Sequence, residues 1–405
     1  MRLLYCLPRY DEHALGNQIH TEVIQHWRNL GHEVEIATIS SASRRPTMKR
    51  VGETVVHYLP TRPSSVIALG NKLAEPVTGY PYLVGAISSF CTFFQTQPGY
   101  DVIHVETAFP LGVAVAFTKP HQSKLAITLP GADIMRVEAF DYGYARYRLV
   151  RLLIRWTLQQ ADYVRADSRQ IAQVARTYGV SDHKLRAIPY NITDHSFVDA
   201  HSNINAYRTQ ARQLLIDKHQ LTDDARIILS LNRLHPFKGI EYLVEALPAI
   251  LSCGYDAHAL IVGPNRTTPK HGDYGAYLQK RAIELGIADR VHLVGAIPHI
   301  EARDYLAGAD VTVVPSIAES FSRVVIESAA VGTPPVVTRT TGASDYVRDA
   351  SCGAVVNPQD AHSLAEGVCS AISAHGELSS RCIPFAQAFR SAAIAQELIE
   401  IYQSL

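Results

Sequence analysis

Short runs of valine, isoleucine and leucine alternate along this chain with stretches whose apolar positions recur three and four residues apart. That alternation predicts parallel strands covered by helices. RLLYCLP (2–8), HEVEIATI (32–39), DVIHVE (101–106), KLAITLP (124–130), DYVRADS (162–168) and KLRAIPY (184–190) read as strands of a first set. RIILSLNR (226–233), AHALIVG (257–263), RVHLVGA (290–296), DVTVVPS (310–316), PPVVTRT (334–340) and GAVVN (353–357) form a second. Two sets of similar size predict an α/β protein of two Rossmann-like, doubly wound domains. Residues 191–210 are rich in Asn, Asp, His and Ser and carry no apolar period. The expected division is therefore an amino-terminal domain over 1–195, a carboxy-terminal domain over 210–385, and a last helix over 386–405 able to pack back on the amino-terminal domain.

Composition narrows the partners. The 405 residues are 47% hydrophobic and 19% charged with zero formal net charge, the balance of a folded chain without long-range attraction to polyanions, so nucleic acid is not an expected partner. The six cysteines form no CxxC pair and no zinc-type spacing. They read as isolated thiols in a reducing cytoplasm. MRLLYCLPRYDEH is too short in its apolar part for a signal peptide, and no run reaches the ~18 apolar residues of a membrane span. YPYLVGAISSFCTFF (80–94) is expected as a buried helix or an interfacial segment. RYRLVRLLIRWTLQQ (146–160) has two readings: a basic amphipathic helix lying on an anionic membrane surface, or a core helix whose arginines snorkel.

In doubly wound sheets ligands bind beyond the carboxyl ends of the strands, which directs attention to three loops. In PRYDEHALGNQIH a helix is expected to start near Asn17, directly after Gly16, with its free amides able to hold an anion. In SLNRLHPFKG, Arg233 and Lys238 stand at the end of a strand, and two cations there suit a diphosphate. In VVPSIAESFSRVVIESAAVG, Glu319 falls in a loop and Glu327 in a helix expected over 322–331. That helix has hardly any polar face, so Glu327 needs a partner, and a carboxylate accepts two hydrogen bonds from vicinal hydroxyls such as those of a ribose. Glu319 has the same capacity toward a hexose, and the amides of Ser320, Phe321, Ser322 and Arg323 toward a phosphate.

Together, GHEVEIAT, DVIHVETAFPLG, ADYVRADS, NRLHPFKGIEYLVEAL, LIVGPN, RVHLVGAIPH and ADVTVVPSIAESFSRVVIESAAVGTPPVV resemble glycosyltransferase family 4 over nearly the whole chain. The resemblance implies the GT-B fold, in which two Rossmann-like domains face each other across a cleft for donor and acceptor. It also implies roles: Glu319 on the donor sugar, Glu327 on the nucleotide ribose, Arg233 and Lys238 on the diphosphate, and Ile297 beside the base. Gly131 and Asp133 of LPGADI become substrate-binding candidates. Pro130 stands where the family commonly has a donor-contacting histidine, Ser322 replaces a glycine, and a Gly-Gly pair is reduced to Leu15-Gly16.

The implied chemistry is retaining transfer of a hexose-type sugar from a nucleoside diphosphate sugar to a glycan, lipid-linked or small-molecule acceptor. No DxD triplet occurs, and neither a metal nor another cofactor is expected. The implied setting is polysaccharide or glycoconjugate assembly in the cytoplasm, with peripheral membrane contact left open. Two other readings use the same loops: a phosphorylase or epimerase of the same architecture, and a non-catalytic nucleotide-sugar-binding or assembly subunit.

Overall fold

The apolar runs of the first half become one eight-stranded sheet in a computed structural model that describes residues 1–11, 16–97, 99–198, 203–268 and 270–405. Its elements are β1 (Arg2–Leu7), α1 (Gln18–Asn29), β2 (Glu33–Ser40), β3 (Thr47–Val51), β4 (Thr54–Pro60), α2 (Ser65–Thr78) and α3 (Leu83–Thr96). They continue with β5 (Val102–Glu106), α4 (Val113–Thr118), β6 (Lys124–Leu129), α5 (Arg148–Gln160), β7 (Tyr163–Ala166), α6 (Arg169–Thr177) and β8 (Leu185–Ala187). The strand order is β3-β4-β2-β1-β5-β6-β7-β8. Every neighbouring pair is parallel except β3 with β4. The β3–β4 hairpin is absent from the sequence reading. Thr47, Met48, Lys49 and Arg50 are all exposed on this edge strand, so no alternation of buried and open positions marks it.

The second unit contains α7 (Ile204–His219), β9 (Arg226–Leu231), α8 (Ile240–Ser252), β10 (Ala257–Val262), a short hairpin of β11 (Thr267–Thr268) and β12 (Gly272–Asp273), α9 (Tyr274–Glu284) and β13 (Val291–Gly295). After these come α10 (His299–Gly308), β14 (Val311–Val314), α11 (Arg323–Ala330), β15 (Pro335–Thr338), α12 (Ser344–Ala350), β16 (Ala354–Val356), α13 (Ala361–Ser373) and α14 (His375–Gln387). The main sheet runs β13-β10-β9-β14-β15-β16 and is parallel throughout. Counted within the unit this is 3-2-1-4-5-6, the doubly wound order whose switch point lies between β9 and β14. All of β9 but its first and last residues is buried, as are all of β10, β14 and β15. That burial explains why these strands read as continuous apolar runs.

The units are Met1–Tyr190 with Ser391–Leu405, and Asn191–Arg390. The final helix, α15 (Ser391–Ser404), belongs to the first. Trp27 Nε1 donates to the Ala395 carbonyl at 2.9 Å, and the Tyr402 hydroxyl meets His104 Nδ1 at 2.7 Å. The segment 80–94 is a buried helix, with Leu83, Ala86, Phe90 and Phe93 of α3 in the core. In α5, Val150, Ile154 and Leu158 also face the core, while Leu149 and Leu152 are exposed. Among the described residues no helix is long and apolar enough to cross a membrane.

The cysteines are not all isolated. Cys253, capping the C-terminus of α8, and Cys369 of α13 bring their Sγ atoms to 2.7 Å although 116 positions separate them. Cys382 Sγ lies 3.2 Å from the Cys352 carbonyl oxygen. Spacing along the chain cannot reveal such pairs, because packing of α8 against α13 on the sheet creates the first. Diamide, which takes up the two thiol hydrogens, is expected to link Cys253 to Cys369 within one chain and to raise thermal stability by about 2–4 kcal/mol. Non-reducing peptide mapping reads the link; a map without it, or one unchanged by Cys369→Ser, contradicts the pairing.

Candidate functional site

Strands β9 and β14 are neighbours at the switch point, so the chain leaves their carboxyl ends in opposite directions and the loops there border a common crevice. Pro236–Lys238 makes one 3₁₀ turn after β9, and Gly239 ends it at φ +65°. A Cβ on Gly239 would stand 2.0 Å from the Pro315 carbonyl oxygen. Only glycine therefore lets this loop touch the loop that follows β14. The Ile317 amide donates to the Phe237 carbonyl at 2.9 Å, and the Lys238 ammonium forms an ion pair with Glu319.

Lys238 is only 8% exposed. Its charge is thus matched by the carboxylate the sequence assigned to a separate task, and the two act as one unit. The Glu319 loop is fixed on its other side by residues the sequence reading did not single out. Its amide donates to the Thr340 carbonyl at 3.3 Å, and the Gly342 amide donates to the Glu319 carbonyl at 2.9 Å. Thr338 and Thr340 hydroxyls both donate to the Ser316 carbonyl, at 2.6 and 2.7 Å. The small polar run TRTTG after β15 was the available signal.

Arg233 is exposed, with its guanidinium 5.9 Å from the Phe237 ring centroid. Among the described residues it makes no hydrogen bond or ion pair, so its donors are available. His235 reports a further cation: burial first, then Arg233, Lys238 and Arg266, lower its pKa. The imidazole therefore stays neutral at pH 7 among three positive groups. Arg266, in GPNRTTP after β10, was also missed, because a lone arginine in a loop carries no pattern.

Helix α11 starts at Arg323, and Ser322 before it holds φ +79°. This left-handed conformation is what a glycine adopts freely, so the serine keeps the turn at a cost in strain. The Phe321 side chain is 2% exposed and packs against Tyr346 and Phe389, with ring centroids 5.9 and 6.0 Å away. Its side chain anchors the loop from inside, and its carbonyl accepts from Ala343 at 3.0 Å. Ser320, Arg323 and Ile297 are half-exposed. Ile297 packs on the core cluster that contains Phe321 and Val324. Glu327 is half-buried rather than enclosed, and it lines a small cavity with His195, Ser196, His299, Arg303 and Leu306. Among the described residues no hydrogen bond or ion pair engages its carboxylate.

The remaining candidates belong to the first unit. Gly16 has open space where a Cβ would stand, so nothing steric demands glycine there; Leu15 lies outside the described residues. Asn17 Nδ2 donates to the carbonyls of Arg9 and Asp11, at 3.3 and 3.1 Å, tying the loop after β1 to the start of α1. Gly131 is buried at φ +101°. Asp133 is turned into the protein rather than into a crevice. It is 1% exposed, and its oxygens accept the Ala108 amide at 2.6 Å and the Ile134 amide at 3.1 Å. It is a positioning residue for the backbone after β5. A pocket of about 730 Å³ in this unit is lined by, among others, Arg9, Tyr10, Lys49, Tyr58, Tyr80 and Tyr82.

Residues 211–389 match the family model for glycosyl transferases group 1, and residues 17–191 that for the glycosyl transferase 4-like domain. A D-inositol 3-phosphate glycosyltransferase of Catenulispora acidiphila is 27% identical over 405 aligned residues, covering 95% of this chain and 89% of that protein. An uncharacterized glycosyltransferase of Methanocaldococcus jannaschii is 35% identical over 146 residues, 36% of this chain and only 35% of its own length. Of solved structures, sucrose-phosphate synthase from Thermosynechococcus elongatus superposes with TM-score 0.75 at 22% identity, covering 100% of this chain and 98% of that one. HepE of Anabaena, solved with UDP, gives TM-score 0.74 at 18% identity, with both chains covered in full.

Desolvation of the Asp133 carboxylate, only partly offset by its backbone amides, raises its pKa to about 7. The folded state therefore holds its proton more tightly than the unfolded chain does. Its contribution to stability is full below the unfolded value of 3.8 and is lost as pH rises to about 7. Asp133→Asn should gain stability relative to the parent across that window, as read by urea denaturation at a series of pH values. A constant difference between the two proteins would contradict the assignment.

Proposed function

The chain belongs to the group 1 glycosyl transferases and has the GT-B fold, and from that premise we propose that it moves a hexose-type sugar from a UDP or GDP sugar to a hydroxyl acceptor, retaining the anomeric configuration and using no metal ion. The observation that carries this reading is the placement of Arg233 and Lys238 at the carboxyl end of β9, with Glu319 paired to Lys238 and the loop that carries Arg266 held alongside by the Leu234 amide on the Pro264 carbonyl at 3.0 Å. Three cations there match a diphosphate, and their charge-assisted hydrogen bonds strengthen as the bond to the anomeric carbon breaks and negative charge gathers on the leaving diphosphate. The acceptor oxygen forms the new bond on the same face, and a diphosphate oxygen takes its proton.

UDP is the favoured nucleotide, since the similar HepE structures are complexes with UDP and UDP-glucose. Glu327, with no partner among the described residues, is assigned the ribose hydroxyls. The tyrosine-lined pocket with Arg9 and Lys49 suits a glycan, lipid-linked or small polyol acceptor. A silent binding subunit is the alternative that Pro130 favours, whereas the glycine-like backbone of Ser322 argues for an intact donor turn.

We further propose peripheral contact with an anionic membrane, through α2 rather than α5. Val66, Leu69, Leu73 and Val77 are all exposed and fall on one face of α2, beside a pocket lined by Arg44, Arg62 and Lys72. An apolar stripe flanked by cations suits an interfacial helix.

UDP at about one hundred times its dissociation constant should stabilise the protein by about 2.7 kcal/mol. Glu327→Ala should weaken that binding without unfolding the protein. Sugar release from UDP-glucose onto an acceptor should persist in EDTA. No shift with any nucleoside diphosphate overturns the donor reading, and binding without turnover favours the silent subunit. In a separate measurement, vesicles containing phosphatidylglycerol should co-sediment the protein, and Leu69→Asp with Leu73→Asp should abolish this. Equal sedimentation of parent and variant removes α2 from the membrane.

A further inference from the structure

The opposite end of the same strands holds a second concentration of positive charge. Arg226 opens β9, and Asp310 immediately precedes β14. Together with Arg208 and Arg212 of α7 and His375 of α14 they line a pocket of about 350 Å³. It sits at the amino ends of the strands, a full strand length from the loops that carry Arg233 and Glu319.

The hydrogen bonds in this pocket leave charge unmatched. Asp310 accepts Arg212 Nη1 at 2.8 Å, Arg226 Nη1 at 3.1 Å and the Ile227 amide at 2.7 Å. One carboxylate thus serves two guanidiniums. Arg208 meets only neutral groups: the Val331 carbonyl at 2.9 Å, the Thr333 hydroxyl at 2.7 Å, the Ala309 carbonyl at 3.3 Å and His375 Nε2 at 3.1 Å. Burial first, and then Arg208, Arg226 and Arg212 against Asp310 alone, hold the His375 pKa below its ordinary value. Among the described residues three guanidiniums therefore face one carboxylate, in a concavity of the size that binds small molecules.

A purely structural tie between α7 and the sheet would be complete with Arg212 and Asp310. The bonds of Arg208 and Arg226 tie further segments together, yet they bring three positive charges to a space where one carboxylate stands, and like charges repel unless an anion stands between them. We propose that this pocket binds a phosphate group, carried by a small phosphomonoester or as inorganic phosphate, at a site separate from the donor loops. The half-exposed Arg226 guanidinium offers donors that phosphate oxygens accept, while Arg212, bonded to Asp310 and the Ala225 carbonyl, and Arg208, bonded to its four neutral partners, add positive charge around it. Arg226, the most open of the three, admits the ligand, and Arg208 forms the floor.

The test is calorimetric titration of the parent protein, Arg226→Gln, Arg212→Gln and Lys238→Ala, each with inorganic phosphate and with a hexose monophosphate. One-to-one binding by the parent that survives Lys238→Ala and weakens about tenfold or more in Arg226→Gln supports the site, since one charge-assisted hydrogen bond is worth about that much. Tighter binding of the ester assigns the site to phosphomonoesters, and equal binding to phosphate itself; either supports it. No binding by the parent overturns the proposal. So does binding lost in Lys238→Ala, or binding unchanged in both arginine variants. If the arginine variants do not fold, the His375 imidazole signals of the parent decide: they should shift on titration with phosphate, and unmoved signals overturn the site.

Discussion

Two loops leaving different strands of the second unit are held together by one ammonium and one carboxylate that are both nearly out of water. Removing Lys238 and Glu319 from solvent costs several kcal/mol per charge, which their mutual contact and the Phe237 ring 5.2 Å from the ammonium offset. That contact exists because Gly239 lets one backbone approach the Pro315 carbonyl of the other. Loss of either partner would leave the other buried and alone. The ion pair therefore sets the geometry of the crevice, and Arg233 and Arg266 add charge to a frame it has already fixed.

The first unit confines its charges differently. Glu106, 3% exposed, accepts hydrogen bonds from the hydroxyls of Tyr5 and Tyr190. Arg165, also buried, lies 4.8 Å from the Tyr190 ring centroid and donates to the Ile188 carbonyl at 2.8 Å. Glu35 is shared by His57, Arg2 and Tyr100 at 2.7, 2.7 and 2.9 Å, which together hold its pKa down to about 2. These groups are saturated by protein partners, so they order the strands rather than await a ligand. Among the described residues Arg233 and Glu327 lack such partners, and that difference separates the candidate site from the structural polar core.

Most parallel strands of the two sheets were legible because burial on both faces forces continuous apolar runs, whereas β3 and β4 were not. The loops after β9 and β14 were legible because strand ends mark where doubly wound sheets bind. The burial of Asp133 was not legible, because a residue in a loop beside a motif can point inward and its spacing does not say which way. Arg266, Thr340 and Gly342 escaped notice because they reach the crevice from strands other than β9 and β14, the first after β10 and the other two after β15.

By itself, then, the sequence determined the alternation of strand and helix, the two-domain division, and the family motif with its two glutamates, since these depend on local period and on short spacings. Tertiary structure alone decided that Lys238 pairs with Glu319, that Cys253 meets Cys369, and that Arg208, Arg212 and Arg226 gather around Asp310. Each of those contacts joins residues about 80 or more positions apart or different secondary-structure elements. Such contacts arise from the order in which strands assemble into a sheet, a property no short window of sequence contains.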